Sequence, residues 1–189
     1  MDNASRILGC LDRHLDHEVR LIVYGRAAIS LGFANAPEAV ARSMDVDAII
    51  PSSEVEAMAA DQGFWEAQEA TNRELEPVGL YITHLFPSEM VILRSGWTDD
   101  LVPLVRPATR NLRLLRPATV DLVLSKMMRG LDPDDLADIS FLCRQDRITA
   151  AMLSDAFSRA VIPPFPEIEE SFRVCRPAAM QLAMAASRG

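Results

Sequence analysis

Hydrophobic and polar positions follow two patterns along the chain, and the change lies near Pro117. Before Pro117, amphipathic segments with a period near 3.6 residues are interspersed with short apolar runs typical of strands. After it, the apolar positions recur at helical spacing only. The first part predicts helices over 3–18, 26–33 and about 52–62, and strands over 19–25, 44–50, 79–86, 89–94, 102–105 and 110–115. The second part predicts helices over 119–130, 132–144, 149–161 and 167–187, the last bent or broken at Pro177.

This division predicts an α+β protein with two parts. We expect a mixed β-sheet flanked by helices over residues 1–117, followed by a C-terminal helical region over 118–189 packed on it. Pro87-Ser88 separates two strand-like runs and predicts a hairpin between them. Asp132 and Pro133 predict the first turn of a helix, as the capping residue and the first helical position.

Composition narrows the class of protein. Hydrophobic residues make up 49% of the chain and charged residues 24%, which supports an ordinary folded core. No apolar run approaches the ~20 residues that a membrane span requires. The net charge of −8 argues against general DNA binding, which needs clustered Lys and Arg. The arginines at 106, 110, 113 and 116 are interpreted as solvated strand edges and loops.

Targeting and redox signals indicate the cytoplasm. The N-terminal segment is acidic and amphipathic, unlike a secretory signal. Cys10, Cys143 and Cys175 fall in helix-like segments without C-x-x-C spacing. We expect them to be buried free thiols in a reducing compartment, with no zinc or disulfide role.

Two aspartates, Asp45 and Asp47, interrupt an apolar strand in ARSMDVDAIIP, residues 41–51. Side chains alternate along a strand, so both carboxylates should project from one face, about 6.6 Å apart along it, while Val46 and Ala48 face the core. At an effective dielectric of 20 they repel by roughly 2.5 kcal/mol, which a divalent cation between them would reverse. Mg²⁺ is commonly held by one or two carboxylates plus substrate phosphates. Taken alone, D-x-D also fits a solvated strand face.

Gly25 ends the preceding strand and begins a helix, where backbone N–H groups could face an anion. A glycine turn feeding a helix, then a strand with D-x-D, resembles the nucleotidyltransferase superfamily, in which the turn holds a nucleoside triphosphate and the acids hold metals. ARSMDVD also resembles the R-S/T-x-D-x-D signature of the AbiEii-type toxin branch and related bacterial proteins, which adds Arg42 and Ser43. Arg26 departs from the usual Gly or Ser after the glycine. It could grip a phosphate or fill the space of the triphosphate.

A second segment, residues 115–142, resembles the helical part of the same branch, where a Lys on one helix precedes D-x-x-D on the next. The matching positions are Lys126, Asp135 and Asp138. The resemblance, which covers about residues 19–145, implies that Lys126 contributes to catalysis and the two acids to nucleotide binding. From the residues alone, the acids share a helix face and could equally cap the helix or pair with Lys126 or Arg129.

Active members of the superfamily usually supply a third carboxylate from a later strand, and this chain has His84 at the expected place. We expect His84 to share a strand face with Leu80, Ile82 and Phe86. A neutral imidazole there could ligate a metal or accept a proton, or it could be a core histidine. Glu89, at the start of the next predicted strand, is the other candidate for the missing acid.

The resemblance implies an enzyme that uses Mg²⁺ or Mn²⁺ to transfer a nucleotidyl group from a nucleoside triphosphate (NTP) to a protein or RNA hydroxyl, in a toxin–antitoxin or phage-defence setting. The residues it implicates in metal binding and catalysis are Asp45, Asp47, His84 and Lys126. Those it implicates in nucleotide binding are Gly25, Arg26, Arg42, Ser43, Asp135 and Asp138. The alternative is a non-catalytic binding or regulatory protein with the same fold that has lost the third acid. A third reading, an α/β domain with incidental acids, is disfavoured by two ordered motif segments about a hundred residues apart.

Overall fold

The computed structural model describes residues 2–188, apart from the side chain of His84, and the chain forms two compact units. The first unit consists of Met1–Pro87 and Leu101–Arg116. The second consists of Ser88–Asp100 and Pro117–Gly189. Each unit is therefore discontinuous in sequence.

The secondary structure largely follows the expected order of elements, but the short strand Ala160–Val161 lies in a region predicted to be helical. The strands are β1 (Val19–Tyr24), β2 (Asp45–Ile50), β3 (Tyr81–Pro87), β4 (Leu93–Arg94), β5 (Val102–Pro103), β6 (Leu112–Arg116) and β7 (Ala160–Val161). The helices are α1 (Asn3–His14), α2 (Gly25–Gly32), α3 (Glu38–Ala41), α4 (Val55–Ala60), α5 (Gln62–Leu75), α6 (Thr119–Lys126), α7 (Pro133–Gln145), α8 (Ala150–Arg159) and α9 (Pro166–Ala186). Short 3-10 helices lie at Ser52–Glu54, Glu76–Val78, Ser88–Met90, Trp97–Asp100 and Met127–Arg129. Among the helices of residues 2–188, none is long and apolar enough to cross a membrane.

The first unit contains a mixed sheet in the order β3-β2-β1-β6-β5. The β1–β2 and β5–β6 pairs are antiparallel, whereas β1–β6 and β2–β3 are parallel. Helix α1 contributes a stripe of fully buried side chains, Ile7, Leu8 and Leu11, at the spacing that the sequence predicted. A mixed sheet flanked by helices is confirmed.

The predicted hairpin between 79–86 and 89–94 is wrong. Strand β3 lies parallel to β2 at the edge of the first unit's sheet, and the chain then leaves that unit. In the second unit β4 pairs with β7, with Leu93 opposite Val161. The alternation of apolar and polar residues identifies a strand, but it does not identify the partner strand.

The interpretation of the arginine series as solvated is wrong for Arg116, which is buried in the first unit. Its guanidinium lies over the Phe33 ring, 4.7 Å from the ring centroid. A Cβ atom at Gly32 would lie 2.8 Å from Arg116 Nε, so the close approach of this side chain requires glycine. A planar guanidinium stacks on an aromatic face, which lowers the cost of its burial.

The second unit holds α6 to α9 and the short β4–β7 ribbon. The Asp132 side chain accepts a hydrogen bond from the Asp135 backbone N–H at 3.0 Å, and Pro133 is the first residue of α7, which confirms the predicted helix start. Helix α9 continues through Pro177 instead of ending there.

Candidate functional site

The antiparallel β1–β2 pair brings the glycine turn beside the D-x-D strand. Tyr24, the last residue of β1, lies opposite Asp47. Gly25 follows it with a φ of +64°, in the left-handed region that favours glycine. A Cβ atom at Gly25 would lie 3.8 Å from Asp47 Oδ2. The first turn of α2 therefore begins next to this carboxylate.

The two aspartates occupy one face of β2. Asp45 and Asp47 are half-buried, whereas Val46 and Ala48 between and after them are fully buried, which is the alternation that the sequence predicted. Ser43 Oγ donates a hydrogen bond to Asp45 Oδ1 at 2.8 Å. The Thr83 hydroxyl donates a hydrogen bond to Asp47 Oδ1. Each carboxylate is thus oriented by a neighbouring hydroxyl group.

A β-bulge in β3 brings Thr83 to Asp47. Ile82 lies opposite Val46 and Leu85 lies opposite Ala48, so two residues of β3 span the stretch in which β2 has only Asp47. A bulge of this kind reverses the alternation of faces beyond it. Ile82 lies opposite Val46, whereas Phe86 lies opposite Ile49, whose side chain projects from the other face of the sheet. The expectation that Leu80, Ile82, His84 and Phe86 share one face is therefore wrong, and the side chain of His84 lies outside the described structure.

Tyr24 packs beside both aspartates. Its ring meets Phe86 edge to face, with the centroids 5.9 Å apart. Burial, and then the negative charges of Asp47 and Asp45, raise the pKa of the Tyr24 hydroxyl. The phenol consequently stays neutral at physiological pH, and it offers an apolar ring face and a polar hydroxyl group next to the aspartates.

Two predicted phosphate ligands lie close to these elements in sequence. Arg26 is half-buried in the first turn of α2. Arg42 is exposed and its guanidinium pairs with Glu38, one helical turn earlier. The exposed ion pair is of the kind that contributes little to stability, so it does not fix Arg42 in place.

The other predicted residues form a cluster in the second unit. Lys126 Nζ lies 3.0 Å from Asp135 Oδ1 and 2.7 Å from Asp138 Oδ2, with all three residues buried. Arg129 Nε donates to Asp135 Oδ2 at 2.6 Å. Burial raises the pKa of Asp135, but Arg129 and Lys126 outweigh it and hold that pKa below its usual value. The salt-bridging role foreseen for these acids is confirmed, and their role in nucleotide binding stays a prediction.

Glu89, the alternative third acid, lies in the 3-10 helix Ser88–Met90 and not at the start of a strand. It is exposed and belongs to the second unit.

A groove runs along α5 and the edge strand β3 in the first unit. Its volume is about 530 Å³, and Thr83, the residue that donates to Asp47, is part of its lining. Its lining includes Trp65, Gln68, Asn72, Tyr81, Thr83 and Leu85. Aromatic and amide groups in one concave surface suit a planar polar ligand.

A family model described as a nucleotidyltransferase of unknown function (DUF6036) matches residues 5–157. The chain belongs to this family. The matched residues include both motif segments, the D-x-D strand and residues 115–142. The match supports the nucleotidyltransferase superfamily but does not reach the AbiEii-type toxin branch. Neither a curated protein nor a solved structure matches the chain.

Two residues of this site, Thr83 and Tyr24, were not predicted. Thr83 is a polar residue inside an apolar strand, a signal present in YITHLF, but its orientation depends on the bulge. Tyr24 directly precedes the glycine turn, and only the β1–β2 register places it opposite Asp47.

Proposed function

We propose that the chain is a metal-dependent nucleotidyltransferase, which transfers a nucleotidyl group from an NTP to a hydroxyl group of a protein or RNA. One observation carries the proposal: Asp45 and Asp47 share a face of β2, and Asp47 lies beside the left-handed Gly25 turn. The family match supports the superfamily to which this chemistry belongs.

The donor set suits Mg²⁺ or Mn²⁺, which prefer carboxylate oxygens. Asp45 and Asp47 would hold the ion, and the Ser43 and Thr83 hydroxyls would keep the two carboxylates oriented. When bound, such an ion neutralises charge on the triphosphate and on the phosphoryl group in the transition state.

The chain's own groups would position the reactants. The oxygen of the acceptor hydroxyl attacks the α-phosphorus and forms a new P–O bond, the bond to the bridging oxygen breaks, and pyrophosphate leaves. The hydroxyl proton passes to a base, the role we propose for His84. Backbone N–H groups at the start of α2, with Arg26 and Arg42, would bind the phosphates. The roles that the resemblance of residues 115–142 implies for Lys126, Asp135 and Asp138 stay predictions, because these side chains pair with one another in the second unit.

The groove along α5 and β3 would hold the base and ribose of the nucleotide. Thr83, which donates to Asp47, is one of its lining residues, so we propose that a triphosphate bound near Gly25 places its nucleoside in the groove. Trp65 and Tyr81 would supply aromatic surfaces, and Gln68 would supply a polar group. Stacking on aromatic side chains contributes about 1–3 kcal/mol per base.

A second candidate function is a nucleotide-binding regulatory protein without transfer activity. The observation that favours it is that β3 presents the Thr83 hydroxyl to Asp47, whereas active members usually supply a third carboxylate from a later strand. In either case we propose a cytoplasmic location, which the three buried free thiols support, and a toxin–antitoxin or phage-defence setting, which the resemblance supports.

The test is incubation of the purified protein with each NTP labelled at the α-phosphate, with Mg²⁺ or Mn²⁺ and cell extract. We expect a labelled protein or RNA product, absent with Asp45→Asn and Asp47→Asn. Asp155→Asn, an exposed acid of α8, is the control and should retain activity. Binding of NTP and metal without transfer would favour the regulatory function. Absence of both binding and transfer in a folded protein would overturn both proposals.

A further inference from the structure

Helices α1 and α5 bring together a thiol, an imidazole and a carboxylate. Cys10 and His14 are one turn apart on the same face of α1, and Glu74 faces them from α5. The Cys10 sulfur, a ring nitrogen of His14 and a carboxylate oxygen of Glu74 all lie within 4.8 Å of one another. His14 Nε2 is 3.0 Å from Glu74 Oε2. The His14–Glu74 separation is close to that between two ligand atoms of one tetrahedral zinc ion.

We propose that Cys10, His14 and Glu74 form a zinc-binding site in the first unit, made of side chains other than those of the proposed transferase site. Zn²⁺ accepts sulfur, nitrogen and oxygen ligands in tetrahedral geometry, whereas Mg²⁺ and Ca²⁺ select oxygen ligands. Three protein ligands leave one position for water or a fourth ligand. The expectation that Cys10 has no zinc role rested on the missing C-x-x-C spacing, which does not detect ligands from a second helix.

The surroundings of the three side chains support a built site. Arg13 Nη2 holds Glu74 Oε1 at 2.6 Å, which directs the other carboxylate oxygen towards His14. Such supporting contacts orient metal ligands in known sites. Cys10 is only 1% exposed, whereas the side chains of His14 and Glu74 are 33% and 45% exposed. An ion could therefore enter from solvent past His14 and Glu74 and reach the buried sulfur of Cys10.

Zn²⁺ would displace the thiol proton of Cys10, and the resulting thiolate would offset part of the charge of the ion. An ordinary thiol has a pKa of about 8.5 and is therefore an S–H group near neutral pH, whereas the metal ligand is the thiolate. On binding, the S–H bond breaks, a Zn–S bond forms, and the proton leaves to solvent. The ion would then link α1 to α5, the helix that lines the groove at β3.

Cobalt(II) substitution tests this assignment directly. We expect a thiolate-to-cobalt charge-transfer absorption that corresponds to one such complex per chain and disappears when Zn²⁺ displaces the cobalt. Cys10→Ser should abolish that absorption. Cys143→Ser and Cys175→Ser are matched controls, because both are buried thiols of the second unit, and they should retain it. Equal absorption in Cys10→Ser and the controls, or a cobalt complex without it, would overturn the proposal.

Calorimetric Zn²⁺ titration keeps the test independent of a folding defect in Cys10→Ser. Glu74→Gln changes a half-exposed side chain and should weaken Zn²⁺ binding by at least the roughly 10–100-fold typical of disturbed metal sites. His17→Gln, a nearby exposed histidine, should leave it unchanged. Asp45→Asn/Asp47→Asn should also leave it unchanged, even if the proposed transferase function fails. Loss of Zn²⁺ binding in that double variant, with retention in Glu74→Gln, would place the zinc on β2 instead.

Discussion

Two glycines of the first unit have opposite conformational requirements. Gly25 has a φ of +64°, whereas Gly9 lies inside α1 with no atom within 4 Å of an added Cβ. We expect Gly25→Ala to lower the free energy of unfolding by about 1–2 kcal/mol, because an L-residue is strained in the left-handed region. Gly9→Ala should raise it by about 0.5–1 kcal/mol, because alanine loses less conformational entropy in a helix. Urea unfolding measures both changes, and a shift of the same sign for the two would contradict this account.

Residue chemistry explains which site members could be found from the sequence. Asp45 and Asp47 were predictable because strand alternation alone places both on one face. Gly25 was predictable because its position between a strand and a helix requires an unusual backbone. Thr83 was not, since the extra residue of the bulge changes its direction and leaves no mark in the apolar pattern.

At the scale of elements, the exposed edge of β3 is closed by side chains of α5. The Asn72 amide accepts a hydrogen bond from the Ile82 N–H at 2.7 Å and donates one to the Ile82 carbonyl at 3.1 Å. Gln68 donates a single bond to the Thr83 carbonyl at 2.9 Å. Asn72 thereby satisfies the backbone groups that a further strand would use.

We expect Asn72→Leu to destabilise the protein by about 1–3 kcal/mol, because it leaves two backbone groups of Ile82 without these partners. It should also promote self-association through the opened edge of β3. Gln68→Leu removes one bond and should have a smaller effect on both. Urea unfolding and light scattering after size-exclusion chromatography report the two quantities. Equal behaviour of the two variants would show that the paired bonds of Asn72 do not protect the edge.

The start of α5 carries a pH-sensitive contact. Asp61 caps the helix by accepting from the Phe64 N–H at 2.9 Å, and His17 Nε2 lies 2.9 Å from its other oxygen. Hydrogen bonds with Asp16 and then Asp61 raise the pKa of His17 above 6.5. The stabilisation of the fold by these His17 contacts is therefore fully present below pH 6.5, and it is lost as the pH rises through the folded-state pKa of His17.

Replacement of His17 isolates this contribution from the other titrating groups. The stability difference between the wild type and His17→Gln should be largest below pH 6.5 and should shrink above the folded-state pKa. Urea midpoints across this range provide the measurement. A difference that grows with rising pH would contradict the assigned direction.

The positions of helices and strands were more predictable from the sequence than the pairing of the strands. The capped start of α7 at Asp132 and Pro133 follows from local hydrogen-bonding needs, so the sequence was sufficient. The hairpin failed because β4 pairs with β7, more than sixty residues later in the chain. The gap between 93 and 161 contains no local signal for that choice, since strand pairing depends on contacts that form only in the folded unit.

At the scale of the whole molecule, both units are assembled from separated segments. Ser88–Asp100 leaves the first unit and joins the helices of the second, while Leu101–Arg116 returns to supply β5 and β6. A division near residue 117 that is based on the period of the hydrophobic positions cannot detect such an exchange, because both segments are short and strand-like. The contacts that retain Ser88–Asp100 in the second unit therefore determine to which unit this segment belongs.

One ion pair fixes this inserted segment to α6. Arg94 binds Asp121 through its backbone N–H at 2.9 Å and through its guanidinium at 2.8 Å. The Asp121 side chain is 0% exposed, whereas Asp100, which also contacts the Arg94 guanidinium at 3.0 Å, is 55% exposed. The two carboxylates share one cation but differ in solvation, which makes them a matched pair.

We expect Asp121→Asn to lower the free energy of unfolding by about 3–5 kcal/mol, because it removes the buried anion of Arg94 and leaves only the exposed Asp100. Asp100→Asn should cost at most about 1 kcal/mol, because solvent screens the exposed pair. Hydrogen exchange should show the loss locally, with faster exchange of the Arg94 amide and its neighbours in Asp121→Asn alone. Equal destabilisation by the two variants would mean that burial does not set the strength of this contact. Unchanged exchange around Arg94 in Asp121→Asn would mean that Ser88–Asp100 is held in the second unit by its apolar side chains instead.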